Sequence, residues 1–386
     1  MKNTSLEKHN SGIDTLRGIS ILSVLLLHLN IQIPFKNTFL GSITPKMVYT
    51  IFFFSGYYGV CIFFVISGFL ITTSVLKKWG SLPQISILGF YSMRFARIMP
   101  LLITLIIILS LLHLTGVSGF IINPARSSLL NTIFAALTFH INWLELTRGY
   151  LPGSWDILWS LSIEEFFYLF FPLVCFLARK ERNVVIIMSS FLFISPFART
   201  VWFTWSELAD RNYFAYMDAI ALGCIAAIIA HRVILSKKSL LSIKVVGLIL
   251  FLLIMLFRRA VYQMGLTGIG LNITLLSIGT ALLLIWIQKR LLSKEQKPSR
   301  FTGYLRYLGR NSYEVYLTHM FVVIGIVGLF RWLNLSGEWI WGLYISAVAI
   351  SGLLGDFVTK YFSNPINLKL RAWLKSKHDT HEVVSG

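Results

Sequence analysis

Long apolar runs separated by short polar segments dominate this sequence. A membrane-spanning helix needs about 20 mostly apolar residues, and ten runs approach that length. They lie near 13–31, 52–76, 98–118, 157–178, 184–202, 214–231, 242–257, 267–287, 311–330 and 339–361. A further apolar run, 131–143, is short and ambiguous. The pattern predicts an all-α polytopic membrane protein with about ten spans, and an eleventh short or re-entrant segment is the open alternative.

The distribution of basic residues decides how the chain crosses the membrane. If the N-terminus is cytoplasmic and 131–143 does not cross, 26 of the 35 lysines and arginines lie on the inner side, as the positive-inside rule requires. If that run crossed, the basic clusters after it would face outward. We therefore predict that both termini are cytoplasmic. The predicted parts are an N-terminal segment 1–12, a transmembrane domain 13–362 with an external loop 119–156, and a tail 363–386.

Composition supports a membrane protein. The chain is 56% hydrophobic and only 13% charged, against about 25% charged in an average soluble protein. In a soluble protein, a net charge of +19 would indicate a nucleic-acid partner. The sequence has no basic soluble domain that could form such a surface, so we expect no nucleic-acid partner. Cys61, Cys175 and Cys224 lie in apolar runs and form neither a disulfide framework nor a metal-binding pattern. We expect no metal.

The first predicted span contains an arginine and a histidine. A charged side chain at the bilayer centre costs about 2.5–3.5 kcal/mol, and such residues are usually functional. Arg17 and His28 are eleven residues apart, so they share one helix face and lie roughly 16 Å apart along the axis. Asp14 can pair with Arg17 from one turn earlier. The alternative is that Arg17 only reaches the headgroups and His28 only bonds a neighbouring helix.

Two arginines enter the third predicted span from the inner side. Arg94 and Arg97 share a helix face, and two guanidinium groups suit a phosphate or pyrophosphate. With Arg17 they predict a site for a phosphorylated small molecule. Ordinary positive-inside anchoring is the alternative interpretation.

Carboxylates lie in the predicted outer half of other spans. Glu164 and Glu165 follow "WSLSI", and Asp218 enters the sixth span. One glutamate alone could merely complement a helix N-terminus; either could instead orient His28 or hold a sugar hydroxyl. Ser67, in "FFVISGF", lies among small residues that more often serve helix packing. The predicted gradient is arginines inside, a histidine near the middle and carboxylates outside.

Five motifs in order carry a family resemblance. They are "IDTLRGISILSVLLLH", "FFVISGFLIT", "RFARIMP", "WSLSIEEFFYLFFP" and "SYEVYLTH". The chain resembles the membrane acyltransferase family 3, typified by bacterial O-antigen and exopolysaccharide O-acetyltransferases. The resemblance covers nearly the whole chain.

The resemblance implies roles for particular residues. Arg17 and His28 match the functional pair of the first span. It implies a catalytic role for His28 and for Glu164, with Glu165 as its partner, and acyl-CoA binding by Arg94 and Arg97. From the residues themselves we add Arg17 and Ser67 to the predicted acyl-CoA site, and we predict supporting roles for Asp14, Asp218, Tyr313 and His319. The resemblance implies acetyl-CoA from the cytoplasm as donor. The implied acceptor is a hydroxyl of a cell-surface glycan or lipid-linked glycan.

The sequence thus predicts an O-acyltransferase of the bacterial inner membrane, most simply an O-acetyltransferase. His28 would act as a general base or as a transient acyl carrier, and the residues do not separate these two roles. The rival interpretation is a proton-coupled transporter of a small polar or acylated molecule, because carriers also need intramembrane charges. A non-catalytic scaffold is a third, and it predicts that His28→Ala is silent.

Overall fold

The structure is a computed structural model that describes residues 10–292 and 302–384. Every regular element within these ranges is helical. The α-helices are α1 (Ser11–Gln32), α2 (Phe39–Ile43), α3 (Lys46–Phe53), α4 (Gly56–Trp79), α5 (Ile87–Leu114), α6 (Leu129–Leu137), α7 (Ile141–Arg148), α8 (Gly153–Asp156), α9 (Leu158–Ala178), α10 (Glu181–Thr200), α11 (Met217–Arg232), α12 (Lys237–Leu256), α13 (Arg258–Gln263), α14 (Leu271–Leu292), α15 (Gly303–Arg310), α16 (Ser312–Trp332), α17 (Ile340–Val358) and α18 (Asn364–Val384). Most of the predicted N-terminal segment 1–12 lies outside the described residues.

The number of spans agrees with the prediction. Ten helical stretches of the described chain are long and apolar enough to cross a membrane, which confirms an all-α protein with about ten spans. The ambiguous run 131–143 falls in α6 and α7, of nine and eight residues, and each is much shorter than a span. The side of the membrane on which each terminus lies stays a prediction.

The third span begins earlier than the sequence predicted. Its helix is Ile87–Leu114, whereas apolarity indicated 98–118. Pro100 lies inside this helix and removes one backbone donor, and the arginines before it lower the local hydropathy. Arg94 and Arg97 therefore lie within the helix, about two and three turns from its start.

The contacts divide the chain into two compact units. The first unit comprises Met1–Thr73, Ala219–Ser312 and Ser336–Tyr344, and the second comprises Ser74–Asp218, Tyr313–Leu335 and Ile345–Gly386. Several helices contribute residues to both.

In the first unit, glycines let helix backbones touch. A Cβ atom at Gly18 of α1 would lie 1.9 Å from the carbonyl oxygen of Leu305. One at Gly309 of α15 would lie 1.8 Å from the carbonyl oxygen of Asp14. Small residues at such crossings are typical of helix packing in membranes. The contact holds the beginning of α1 directly against α15.

A second glycine contact joins α4 to α11. A Cβ at Gly68 would lie 2.0 Å from the carbonyl oxygen of Ile220, and one at Gly223 would lie 2.0 Å from that of Val65. Gly68 of "FFVISGF" therefore serves close packing of the two helices. Ser67 is the neighbour of this contact and is half-buried.

All three cysteines are buried, and none forms a disulfide. Cys61 and Cys224 lie in the first unit and Cys175 in the second. Their side chains are at most 1% exposed.

In the second unit, a buried ion pair joins α10 to the start of α11. Arg199 donates from Nη1 to Asp218 Oδ1 at 2.9 Å and from Nη2 to Oδ2 at 2.8 Å. It also donates to the carbonyl oxygen of Ala215. The two charged side chains are 4% and 0% exposed. Asp218, predicted as a supporting site residue, thus has a structural partner.

Removal of one member of this pair should strongly destabilise the protein. Asp218→Ala leaves Arg199 buried without its carboxylate, and breaking a buried pair in this way typically costs about 3–5 kcal/mol. We expect a large fall in the thermal unfolding midpoint in detergent. The double variant Arg199→Leu, Asp218→Leu should recover much of the lost thermal stability, because no unpaired charge remains. A double variant as unstable as the single one would contradict this explanation.

Candidate functional site

A charged cluster lies between α5 and α9 in the second unit. Arg94 Nη2 is 3.4 Å from Glu165 Oε1 and 3.8 Å from Glu164 Oε1. Its guanidinium lies over the Tyr168 ring, 3.7 Å from the centroid, and the Tyr168 hydroxyl donates to Glu164. One arginine therefore contacts both adjacent glutamates. The structure brings together three of the predicted site residues.

This contact corrects the predicted gradient of charges. The sequence placed Arg94 at the inner face and Glu165 in the outer half, yet the two side chains are in direct contact. The reason is that α5 begins eleven residues before the predicted span 98–118, so Arg94 lies deeper in the helix bundle. The arginine and the glutamates act as one group rather than at two levels.

A second ion pair lies one turn further along α5. Arg97 Nη1 is 2.7 Å from Glu314 Oε1, and Nη2 donates to Oε2 at 3.3 Å. Glu314 is fully buried. The Arg97 guanidinium also lies 4.9 Å from the Tyr313 ring centroid, and the Tyr313 hydroxyl donates to the carbonyl oxygen of Ile98. Tyr313 therefore helps to position this arginine.

His319 lies deeper in α16, in a hydrogen-bonded setting. Its Nδ1 is 2.7 Å from the carbonyl oxygen of Tyr316, and its side chain is buried. The Tyr316 hydroxyl is 2.7 Å from Ser160 Oγ and donates to the carbonyl oxygen of Ile157. The Tyr316 contacts link α16 to α9, and the supporting role of His319 stays a prediction.

In the first unit, the charged residues of α1 face the end of α15. Arg17 Nε donates to Ser312 Oγ at 3.0 Å. Arg310 Nε is 3.5 Å from Asp14 Oδ2, and the Asp14 side chain is only 5% exposed. This end of the unit therefore gathers two guanidinium groups around one carboxylate and one hydroxyl.

His28 lies on the same helix as Arg17 and is half-buried. Because α1 is continuous from Ser11 to Gln32, the shared face predicted for the two residues is kept. His28 Nδ1 is 2.9 Å from the carbonyl oxygen of Val24. A proton on Nδ1 satisfies this contact and leaves the lone pair on Nε2. That tautomer is the one a general base or an acyl acceptor requires.

A third charged group was not predicted from the sequence. Arg211 Nη1 is 3.1 Å from Glu145 Oε2, and Nη2 is 3.1 Å from Asp156 Oδ1. Its guanidinium also lies 4.2 Å from the Trp159 ring centroid. Trp159 is therefore covered by the arginine and is not open to a ligand. The only sequence signal was a glutamate within the short apolar segment "INWLEL".

Glu145 should make stability depend on pH. Burial raises its pKa well above the ordinary value, Asp156 adds to this rise, and Arg211 opposes it. The folded state thus keeps a proton that the unfolded chain releases near pH 4.3, so stability falls as pH rises through the interval up to the raised pKa. Glu145→Gln cannot titrate, and we expect its unfolding midpoint to fall less between pH 5 and pH 8.

The control for that measurement is Glu207→Gln. Glu207 is exposed and belongs to the same unit. This variant should keep the pH dependence of the wild-type chain. An unchanged slope in Glu145→Gln would show that other groups dominate the pH dependence.

The charged cluster of Arg94 borders a cavity of about 270 Å³ in the second unit. Its walls come from α5, α9, the turn between α6 and α7, and Tyr213. Glu165 and Tyr168 also line it, and the remaining wall is mainly apolar. Among the described residues, no group of three or more His, Cys, Asp and Glu side chains could hold a metal ion.

Comparison with known proteins points to one class of enzyme. A family model described as an acyltransferase domain matches residues 10–358. The chain is 27% identical over 381 residues to O-acetyltransferase OatA of Staphylococcus aureus (strain NCTC 8325 / PS 47), an alignment that covers 93% of this chain and 57% of that protein. The same figures hold for OatA of strain COL. The chain therefore spans little more than half the length of these relatives.

A relative that matches a shorter part of the chain has a similar name. The putative O-acetyltransferase SAS0844 of Staphylococcus aureus (strain MSSA476) is 30% identical over 175 residues, which cover 43% of this chain and 25% of that protein. No solved structure matches the chain. The family match over residues 10–358 therefore rests on sequence similarity.

Proposed function

The chain belongs to this acyltransferase family, and from that premise we propose that it is an O-acetyltransferase of the bacterial inner membrane. The reaction moves an acetyl group from cytoplasmic acetyl-CoA to a hydroxyl of a cell-surface glycan or lipid-linked glycan. The match over residues 10–358 carries the proposal. The names of the relatives favour acetyl as the group. Membrane lipids are the other partner.

The donor is assigned to the charged end of α1. Arg17 Nε donates to Ser312 Oγ, which holds the guanidinium at this end of α1. We assign a phosphate of acetyl-CoA to this guanidinium, with Arg310 adding positive charge nearby. Ser67 stays assigned to donor binding, as predicted from the sequence.

Arg94 and Arg97 are assigned to acyl-CoA by resemblance, and their contacts bear on that assignment. Each guanidinium already contacts a carboxylate, Glu165 for Arg94 and Glu314 for Arg97. A phosphate bound here would have to share the guanidinium with that carboxylate. The contacts also make Glu165, with its neighbour Glu164, suitable as an acceptor of hydrogen bonds from substrate hydroxyls.

His28 is assigned to the acyl transfer itself. As a general base, Nε2 removes the proton of the acceptor hydroxyl, whose oxygen attacks the thioester carbonyl and displaces the CoA thiolate, which then takes up a proton. As a carrier, Nε2 first attacks the thioester carbonyl and displaces the CoA thiolate, which takes up a proton. The oxygen of the acceptor hydroxyl then attacks the acetyl carbonyl, which releases neutral imidazole and the hydroxyl proton. Both routes use the lone pair of Nε2, and both therefore need the proton to stay on Nδ1, where it contacts the carbonyl oxygen of Val24.

A direct assay tests the proposal. Membranes that contain the protein receive acetyl-CoA labelled in the acetyl group, and label is counted in the glycan and glycolipid fraction. Label above that of membranes without the protein supports acetyl transfer. Uptake or exchange of a solute without any covalent product would instead support the proton-coupled transporter.

A further inference from the structure

The cavity in the second unit has a polar wall and an apolar mouth. Arg94 and Glu165 lie on the wall between α5 and α9. At the mouth, Phe95 of α5 is 52% exposed and Leu169 of α9 is 53% exposed. Both helices belong to predicted membrane spans. Exposed apolar side chains on such helices face the hydrocarbon of the bilayer, so the cavity opens toward lipid.

The charges of the wall select the kind of polar group that fits. Arg94 contacts both Glu164 and Glu165, so the group carries one negative charge when both carboxylates are ionised. An anion such as a phosphate would have to displace these carboxyl groups from the guanidinium. A neutral hydroxyl fits it, because the hydroxyl can donate to a carboxylate and accept from the guanidinium.

The volume sets the size of the ligand portion. About 270 Å³ corresponds to roughly nine water-sized groups at about 30 Å³ each. An acetyl group has three non-hydrogen atoms and leaves most of that space empty. A sugar ring edge with the first carbons of an attached chain fills it.

We propose that this cavity binds a neutral, hydroxylated glycolipid at the junction of its sugar and its apolar chain. A sugar hydroxyl contacts Glu165 and Arg94, and the chain leaves past Phe95 and Leu169 into the bilayer. The inference rests on the proposed function and deepens it, since it names the acceptor as lipid-borne rather than a free glycan.

Photolabelling tests the site without requiring turnover. The probe is octyl β-D-glucoside with a diazirine in its chain, added to the full chain in lipid nanodiscs, and adducts are located by mass spectrometry. We expect adducts on Phe95–Met99 and Phe166–Leu169. Leu169→Trp should reduce them at least about tenfold by filling the mouth. Leu173→Trp, one turn further along α9 and 38% exposed, should not.

A second variant and two competitors complete the test. Phe95→Trp narrows the same mouth from α5 and should act as Leu169→Trp does, so the result does not depend on the folding of one variant. Unlabelled octyl glucoside should compete, and decyl phosphate should compete much less. Stronger competition by the phosphate, or competition by octanoyl-CoA but not by the glucoside, would overturn the proposal. Adducts spread over all lipid-exposed helices in both Leu169→Trp and wild type would also overturn it.

The assay of labelled acetyl transfer is run on the same nanodiscs. Specific adducts without any acetyl transfer by the wild-type chain would count against the proposed function and leave the glycolipid site standing. Normal acetyl transfer together with unspecific adducts would remove the glycolipid site and leave the proposed function standing.

Discussion

Replacement of His28 by alanine is expected to lower acetyl transfer to the glycan fraction at least about 100-fold. A positioned acid or base contributes typically 10²–10⁴-fold, and loss of a covalent carrier should cost at least as much. The physical basis is the contact of Nδ1 with the Val24 carbonyl oxygen at 2.9 Å, which directs the basic lone pair to Nε2. Label from acetyl-CoA in the glycan fraction is the measurement, at equal amounts of wild-type and variant protein.

His231→Ala is a closely matched control. His231 has the same local geometry, with Nδ1 2.8 Å from the carbonyl oxygen of Ala227 four residues earlier, and it lies near the end of α11. Its replacement should leave transfer nearly unchanged. Undiminished transfer by His28→Ala would move the chemistry to another group. Absence of transfer by the wild-type chain and by His28→Ala alike would instead favour the transporter or the scaffold interpretation.

The same assay separates the two roles of His28. An acetyl-imidazole intermediate leaves label on the wild-type protein when acceptor is withheld, and a general base leaves none. His28→Ala should abolish any such label on the protein.

Gly309→Val is expected to prevent accumulation of the folded protein. A Cβ at this position would lie 1.8 Å from the carbonyl oxygen of Asp14, and that atom belongs to the backbone and has no rotamer to change. Helices α1 and α15 would have to separate. We expect the free-energy cost of this separation to exceed the roughly 1–3 kcal/mol typical of overpacking in a core. The measurement is the amount of monodisperse protein after detergent extraction and size-exclusion chromatography.

Gly303→Ala provides the control within the same short helix. Among the described residues, no atom of another part of the chain lies within 4 Å of a Cβ at Gly303, so this variant should be recovered at the wild-type level. A well-folded Gly309→Val would show that α1 and α15 do not make this close contact. Gly18→Val should repeat the defect from the other helix, because its Cβ would meet the Leu305 carbonyl oxygen at 1.9 Å.

The spans could be predicted from sequence because the bilayer imposes a local rule. Each spanning helix satisfies its own backbone hydrogen bonds, so its length appears as one apolar run. The start of α5 could not be predicted in this way. Arg94, Arg97 and Pro100 interrupt the apolar run, and their charges are accepted inside the bundle only because Glu165 and Glu314 contact them. Those partners are distant in sequence.

The candidate site was predictable where chemistry and helix geometry coincide. Arg17 and His28 share a face of one helix, and that relation follows from their spacing alone. The group of Arg211 could not be found in this way, because its partners Glu145 and Asp156 are 66 and 55 residues away. Polar residues in connecting segments carry no pattern that distinguishes a buried ion pair from an exposed charge.

The buried cysteines make the native chain a ready background for chemical mapping of membrane sidedness. Cys61, Cys175 and Cys224 are at most 1% exposed, so a bulky, membrane-impermeant maleimide should find no natural target in the folded protein. A single new thiol at an exposed position such as Glu207 or Arg371 would then react from one side of a sealed vesicle only. The direction in which every helix crosses could be read without first removing a natural cysteine.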